Sequence, residues 1–408
     1  MGGRGGQSPL ALLAYLAYPL SVTEFPITSA ERALIDRAED FAARVIAPNA
    51  AAWERARSPL PREVVREWST LGLNGLQVAT AYGGQGASYY CKVRVAEALA
   101  RVCMASSFAL NNMQGFVTRI EREGSAEQVS RYLPRLLTGE LICAPSLTEP
   151  GAGSDFGAIS TRAIKVPGGW RLDGEKAWIT NGAIADLLVL YAQTNSEAGN
   201  AGIASFLVDT HAAGVERLAP YELIGGHAIG AAGVRLTDVF VSDADLFAPP
   251  GQAFKNALVG ITAARTHVAA MACAMVESAL RLTFGYTSAR RAFGRPLIGH
   301  QGLRWQLVDV AADLEAARLL TYRAVDVIAA GNDAQVEAAF AKKVAAEMAT
   351  RSIAACMQAM GAEGLRTDHP LARHLASARI AAYVDGTTEI MNERIGAALK
   401  DRYGRVGR

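Results

Sequence analysis

The chain has 408 residues and a formal net charge of +2; half of it is hydrophobic and a fifth is charged. That length buries a substantial core without disulfides or metals, and the lack of any block of like charge speaks against nucleic-acid or anionic-membrane partners. Five scattered cysteines (Cys91, Cys103, Cys143, Cys273, Cys356), with no CxxC spacing, fit reduced, buried thiols and a cytoplasmic location.

The first apolar stretch, "SPLALLAYLAYPL" at 8–20, is too short to span a bilayer. Pro19 and the lack of a small-x-small cleavage site argue against a signal peptide. Residues 1–27 are read as an extension, with ordering against a partner subunit as its expected role. No membrane-inserting segment is predicted elsewhere.

Residues 28–143 have helical texture. "TSAERALIDRAEDFAARVIAP" opens on Thr28 and Glu31, the spacing of a capping box. It sets Leu34, Ile35, Phe41 and Val45 on one stripe, and Pro48 is expected to stop it. After the glycine-rich "AYGGQGAS", one further helix is predicted through "CKVRVAEALARVCMASSFAL".

Residues 144–250 read as a small β domain. "ADLLVLYAQT", "AGIASFLVDT" and "GVRLTDVFVS" are short strands, and "GGWRLDGEKAWITNG" reads as a hairpin turning at Asp173-Gly174. Residues 251–408 are helical again. A helix of about ten turns is followed by one stopping at Gly331, a third up to Gly361, and a last one after "DGTT". Four alanine-rich helices with short loops predict an antiparallel bundle. The fold class is therefore mainly α, with an N-terminal helical domain, a β-barrel-like middle domain and a C-terminal four-helix bundle.

Five motifs occur in order: "LTEPGAGSD" (147–155), "AWITNG" (177–182), "RRAFGRPLIGHQ" (290–301), "QAMGAEG" (358–364) and "DGTTEI" (385–390). The glycines of the first let backbone approach a ligand closely, and Thr148 and Ser154 offer hydroxyls. No βαβ unit follows, so it is not a dinucleotide fingerprint. Trp178 and Thr180 offer an aromatic plane and a hydroxyl. Arg290 and Arg291 form a cation pair suited to a pyrophosphate, although they also sit where cations favour a helix C-terminus. His369 and His374 in "HPLARH" lack a supporting cysteine or carboxylate cluster, and no metal is predicted. In the last motif, Asp385 before a helix is either a cap or a base.

Together these motifs resemble the acyl-CoA dehydrogenase family, FAD-dependent enzymes that introduce a Cα–Cβ double bond into an acyl thioester; the resemblance covers nearly everything from residue 28 onward. It implies that Leu147, Thr148, Gly153, Ser154, Trp178, Ile179 and Thr180 line the flavin, with Ser154 also orienting the thioester. Arg290, Arg291, Ala292, His300 and Gln301, with Gln358, Ala359, Met360, Gly361 and Ala362, would reach the FAD of a neighbouring subunit. Thr387, Thr388 and Glu389 would complete the cofactor site. It further implies a homotetramer and an electron-transfer flavoprotein as electron acceptor.

Removing an α-proton from a thioester needs a carboxylate of raised pKa, donors on the carbonyl and a hydride acceptor. The family's glutamate position is Asp385 here, one methylene shorter. The family's second location for the base, before the arginine of "TAAR", is Ala264, so Asp385 is the only carboxylate in either place. The backbone of Asp385 and Gly386 would polarise the carbonyl, and Arg265 would meet the pantetheine arm. Asn392, Pro145 and Thr262 depart from the family pattern; Thr262, where an aspartate is expected, leaves room for a carrier-protein thioester instead of CoA. By alignment the acyl pocket floor falls at about 103–114, a mixture of small and polar residues, and the charged "TRIEREG" beyond it favours a short or polar acyl group. Two rival readings are a flavin oxidase of nitroalkane-oxidase type, for which aspartate has a precedent, and a non-catalytic or nucleic-acid-binding flavoprotein, which should carry a basic stripe.

Overall fold

The computed structural model describes residues 26–404, so the apolar stretch at 8–20 lies outside the described residues. The capping box forms: Glu31 N donates to Thr28 Oγ1 at 3.2 Å, and Thr28 N donates to Glu31 Oε2 at 2.9 Å. Helix α1 (Ser29–Phe41) does not stop at Pro48. A π turn over Ala42–Ile46 carries it into α2 (Ala47–Arg55), with Pro48 in the first turn. The wider turn absorbs the backbone bond that proline cannot donate.

Helices α3 (Arg62–Thr70), α4 (Tyr89–Ala100), α5 (Met104–Glu123) and α6 (Ala126–Leu137) complete the N-terminal domain. The single helix expected across 91–110 is two. Cys103 is extended (φ −154°, ψ 105°), Ser107 Oγ donates back to Ala96 O at 2.7 Å, and Arg101 Nε reaches Glu277 at 3.2 Å. These long-range bonds favour a fold-back over a continuous rod.

The middle domain is one eight-stranded sheet. Its strands are β1 (Cys143–Ser146), β2 (Arg162–Val166), β3 (Gly169–Ile179), β4 (Leu187–Gln193), β5 (Ile203–Asp209), β6 (Val215–Arg217), β7 (Ala232–Ser242) and β8 (Leu246–Ala248). The order is β6-β7-β3-β2-β4-β5-β8, with β1 joining β4 in parallel. Asp173-Gly174 is not the hairpin turn. The chain turns at Pro167-Gly168, where Gly168 has φ 75°, and β3 runs straight through Gly174 as a bulge opposite β7. At Gly174 a Cβ would come within 2.6 Å of Thr161 Oγ1, so the glycine serves close packing instead of reversal.

The C-terminal domain holds α7 (Ala253–Ala289), α8 (Gln301–Ala329), α9 (Gln335–Met360), α10 (Leu371–Tyr383) and α11 (Thr388–Tyr403). A short β9 (Arg291–Ala292) and β10 (Arg295–Pro296) ladder links α7 to α8. Helix α10 is a fifth element absent from the sequence reading; Pro370 precedes its first turn, where a missing N–H costs nothing. Helix α7 is apolar enough to cross a bilayer (mean hydropathy 1.4), but 72% of that stretch is buried inside the protein. It is a core helix.

One core unites both helical domains, with Phe41, Trp68, Leu99, Met271, Met275 and Met348 among its members. The sheet buries Leu172, Leu190, Phe206 and Val234 on one face. On its other face Leu187, Val189 and Tyr191 pack with Ile120, Tyr132 and Leu133 of the N-terminal helices. The β domain is thereby fixed against the helices, and the 147–154 loop emerges at that junction.

Candidate active site

Between α10 and α11 the chain passes through a turn in which Asp385 has φ 55° and Gly386 φ 100°. A left-handed non-glycine residue costs about 1 kcal/mol or more and persists only when its surroundings over-determine it. Two cations do so. Arg265 Nε, on α7, donates to Asp385 O at 2.9 Å. Lys342 Nζ, on α9, donates to Gly386 O and more weakly, at 3.5 Å, to Ala382 O. A Cβ at Gly386 would lie 3.2 Å from Met391 Cε and 3.3 Å from Arg265 Nη2, so both space and φ call for glycine.

The cap of α11 is Thr387, whose Oγ1 faces Ile390 N at 3.5 Å. Asp385 is therefore not the cap. Its Oδ2 is buried and has no hydrogen-bond partner. Burial pushes the carboxyl up to about 6, against the charges of Lys342 and Arg265, which pull it down. A carboxylate that ionises near neutrality with a free oxygen lone pair is suited to accepting a proton from carbon. Backbone on both sides is held by carbonyl bonds, and no hydrogen bond among the described residues uses the Asp385 N–H. That N–H is available to a substrate oxygen. On α7 the residue before Arg265 is Ala264, which carries no carboxylate.

Lys342 escaped the sequence reading because it stands in a Lys342-Lys343 pair that looks like a solvated face. The signal was its register: Ala338, Ala341, Lys342, Ala345 and Ala349 form the buried stripe of α9. Only 1% of Lys342 is exposed. Burial lowers its pKa to about 8, with Asp385 supporting the charged form.

The "LTEPGAGSD" loop is held by a second residue that sequence reasoning overlooked. Glu149 is buried and accepts from Lys176 Nζ at 2.8 Å, Ser160 N at 2.6 Å and Thr161 N at 2.9 Å. Burial alone would raise the Glu149 pKa, but Lys176 and these donors reverse that and bring it down to about 2. Lys176 also donates to Leu147 O at 3.0 Å, and Ala177 N donates to Thr148 O at 2.8 Å. The loop is thus tied to the strand that carries Trp178 and Thr180.

The ends of that assembly are open. A Cβ at Gly151 or Gly153 would meet nothing within 4 Å, and Ser154 is exposed. Leu147, Thr148 and Thr180 are half-buried, and Ile179 is buried. Trp178, at φ 57°, is 57% exposed with its indole stacked on Tyr221 at 4.1 Å between centroids. An exposed, fixed aromatic plane beside a glycine loop and hydroxyl donors fits a flavin ring system.

The remaining predicted cofactor residues are not joined to that assembly by any hydrogen bond or ion pair within one chain, among the described residues. Arg290, Arg291 and Gln301 are exposed, Ala292 is half-buried, and His300 Nε2 lies 3.1 Å from Ala292 O. Gln358, Gly361 and Ala362 are exposed, while Ala359 and Met360 are buried. Thr388 is half-buried and Glu389 exposed. Thr262 is satisfied within α7, donating to Leu258 O at 2.9 Å, and Asn392 is exposed. Among the described residues, no cluster of three or more His, Cys, Asp or Glu side chains is placed to hold a metal. His374 is buried, and burial takes its pKa down to about 3.

A carboxylate with an enclosed, unpartnered oxygen in a clamped turn, set in a helix–sheet–helix protein with an open glycine loop beside an exposed indole, fits a flavoprotein oxidoreductase. Family models agree across three segments: acyl-CoA dehydrogenase N-terminal domain at 28–140, middle domain at 144–239 and C-terminal domain at 251–400. An acyl-CoA dehydrogenase of Bacillus subtilis is 32% identical over 352 residues, covering 86% of this chain and 93% of that protein. Butyryl-CoA dehydrogenase from Megasphaera elsdenii superposes with a TM-score of 0.88 at 29% identity, covering 92% of this chain and all of that one. A prolyl acyl carrier protein oxidase superposes with a TM-score of 0.86 at 25% identity, over 91% of this chain and 99% of that one. The chain belongs to the acyl-CoA dehydrogenase family. It is an oxidoreductase of the class acting on CH–CH groups, with FAD as its cofactor.

Proposed function

We propose that this protein catalyses α,β-dehydrogenation of an acyl thioester, with Asp385 as the base that takes the α-proton. The observation that carries this reading is the Asp385 carboxylate: buried, pushed up to about 6, and unpartnered at Oδ2 while its own backbone is clamped. FAD, when bound, supplies the acceptor for the β-hydride. Leu147, Thr148, Gly153, Ser154, Trp178, Ile179 and Thr180 hold its ring system, and Ser154 orients the thioester. The Asp385 and Gly386 backbone polarises the thioester carbonyl, and Arg265 keeps the turn in place beside it. Burial of the base excludes water from the acidified C–H.

The thioester is of CoA or of a carrier protein. The self-satisfied Thr262 hydroxyl and the likeness to a carrier-protein oxidase support the second. The exposed apolar side chains Phe284, Phe293, Trp305, Val308 and Leu319 support a homo-oligomer; Arg290, Arg291, Gln301 and Gln358 lie on the same domain and would reach the cofactor of a neighbouring copy, most simply in a tetramer. An electron-transfer flavoprotein is the acceptor in this reading. The free, buried state of all five cysteines supports a cytoplasmic location.

Anaerobic mixing of FAD-loaded protein with panels of CoA and carrier-protein thioesters tests the proposal. Bleaching of the flavin absorbance is expected. Its absence with every thioester, or peroxide release from a nitroalkane with no thioester requirement, would overturn it.

A further inference from the structure

The exposed indole of Trp178 is backed by a residue that lies outside the five motifs. Along β3 and β7, Lys176 pairs with Val234 and Ile179 with Ala232, so Ala177 and Trp178 together stand opposite Gly233. Such a bulge re-aims a side chain, and Trp178 sits in it at φ 57°. The space beside it depends on glycine. A Cβ at Gly233 would lie 2.8 Å from Lys176 O, 3.0 Å from Leu218 Cδ1 and 3.4 Å from Tyr221 Oη. Tyr221 fills that space. It is half-buried, with its ring 4.1 Å from the indole between centroids and tilted by only 25°.

The segment that carries Tyr221 is fastened on both sides. It continues from β6 alongside β7, where Leu218 N donates to Gly233 O at 3.0 Å and Tyr221 N to Ala231 O at 2.9 Å. Further on, Glu54 of α2 accepts from Gly226 N at 2.9 Å and lies 3.0 Å from His227 Nδ1. A tyrosine anchored in this way is a fixed support. Its ring covers one face of the indole, yet 57% of Trp178 is still exposed. The accessible surface is therefore the opposite face and the ring edge.

An exposed side chain without such backing loses rotamer freedom when a ligand settles on it, and preorganisation removes that cost. We infer that Tyr221 is a positioning residue for the flavin. It holds the Trp178 indole from behind, in the plane against which the ring system packs, and it acts through Trp178 and not on the substrate. This rests on the reading that Trp178 lines the FAD site, and it adds a residue from the β6–β7 connection to that site.

The test follows release of FAD from the holoenzyme on dilution, read by the rise in flavin fluorescence. The dissociation constant is expected to rise about five- to tenfold in Tyr221→Ala, the worth of one aromatic stack. Tyr221→Phe keeps the ring and should stay close to wild type. The near-ultraviolet ellipticity of the aromatic pair should weaken in the first variant and persist in the second. A double-mutant cycle separates positioning from a merely structural role. On a Trp178→Ala background, Tyr221→Ala should cost no further FAD affinity. An equal loss with and without Trp178 would overturn the inference. So would a Tyr221→Ala protein that holds FAD as tightly as wild type, or more tightly because the tyrosine had occupied the face the flavin needs. Should Tyr221→Ala fail to fold, Tyr221→Leu, which keeps apolar bulk without a ring, takes its place in the cycle. Wild-type protein that holds no FAD would remove the flavin reading and the inference together.

Discussion

Two buried carboxylates in this protein, Glu277 and Asp385, are each flanked by cations, yet they are driven in opposite directions. Glu277, on α7, receives Arg101 at 3.2 Å, Arg281 at 2.9 Å and Arg318 at 3.1 Å on its own oxygens. Burial would raise its pKa, but the arginines overcome this and hold it at about 2. Asp385 has Arg265 and Lys342 beside it, but their hydrogen bonds go to the backbone carbonyls of Asp385, Gly386 and Ala382. Burial then prevails, and the carboxyl rises to about 6. A cation that bonds a carboxylate makes a strut. A cation that bonds the neighbouring backbone fixes the carboxylate in place and leaves its oxygen free to react.

The largest expected effect tests that freedom directly. Asp385→Asn keeps the shape but removes the proposed base, and the rate of flavin bleaching by substrate should fall by about 10³-fold or more, near the upper range for general-base catalysis. FAD content and Tm serve as controls. Retained activity would show that the unpaired oxygen does nothing.

Next, Glu277→Gln should cost about 3–5 kcal/mol of stability, because three arginines lose a buried counter-charge. Chemical denaturation measures it, and the effect should appear in stability rather than in bleaching rate per folded enzyme. The pH dependence of the two sites also differs in sign. Glu277 has a lowered folded pKa, so its contribution to stability is present above its ordinary value of 4.5 and lost as pH falls toward 2. Asp385 has a raised folded pKa, so folding favours its protonated form, while proton abstraction needs the ionised one. The wild-type bleaching rate should therefore fall about tenfold per pH unit below about 6.

Lys342→Met sharpens the comparison with the smallest effect. The charge of Lys342 lowers the Asp385 pKa, so its removal should move the acid limb of the rate profile up by about one pH unit. A merely structural lysine would lower Tm without moving that limb. Lys342→Arg, which restores the charge, should return the limb toward its wild-type position.

Local chemistry was legible from residues alone. The Thr28–Glu31 capping box needs only three residues' separation, and the five motifs carried the family without any contact information. Asp385 was singled out as base or cap, and that ambiguity fell to a neighbour: Thr387 caps the helix. Pro48 and Asp173-Gly174 misled because each is a local breaker overruled from outside, the first by a π turn and the second by a strand pairing along its full length with β7. The break at 101–103 depends on Glu277, far along the chain. Lys342 and Glu149 were missed because a charged side chain, on an amphipathic helix in the first case and in a glycine-rich loop in the second, reads as surface, and only packing reveals that it points inward.

Residue order by itself determined the helix–sheet–helix succession and singled out the glycine loop and Asp385 as candidates, because periodicity, glycine placement and the absence of a carboxylate at Ala264 are properties of neighbours along the chain. Tertiary structure decided how basic Asp385 is and what clamps its turn. Those depend on burial and on which atom each cation meets, and helices distant in sequence set both.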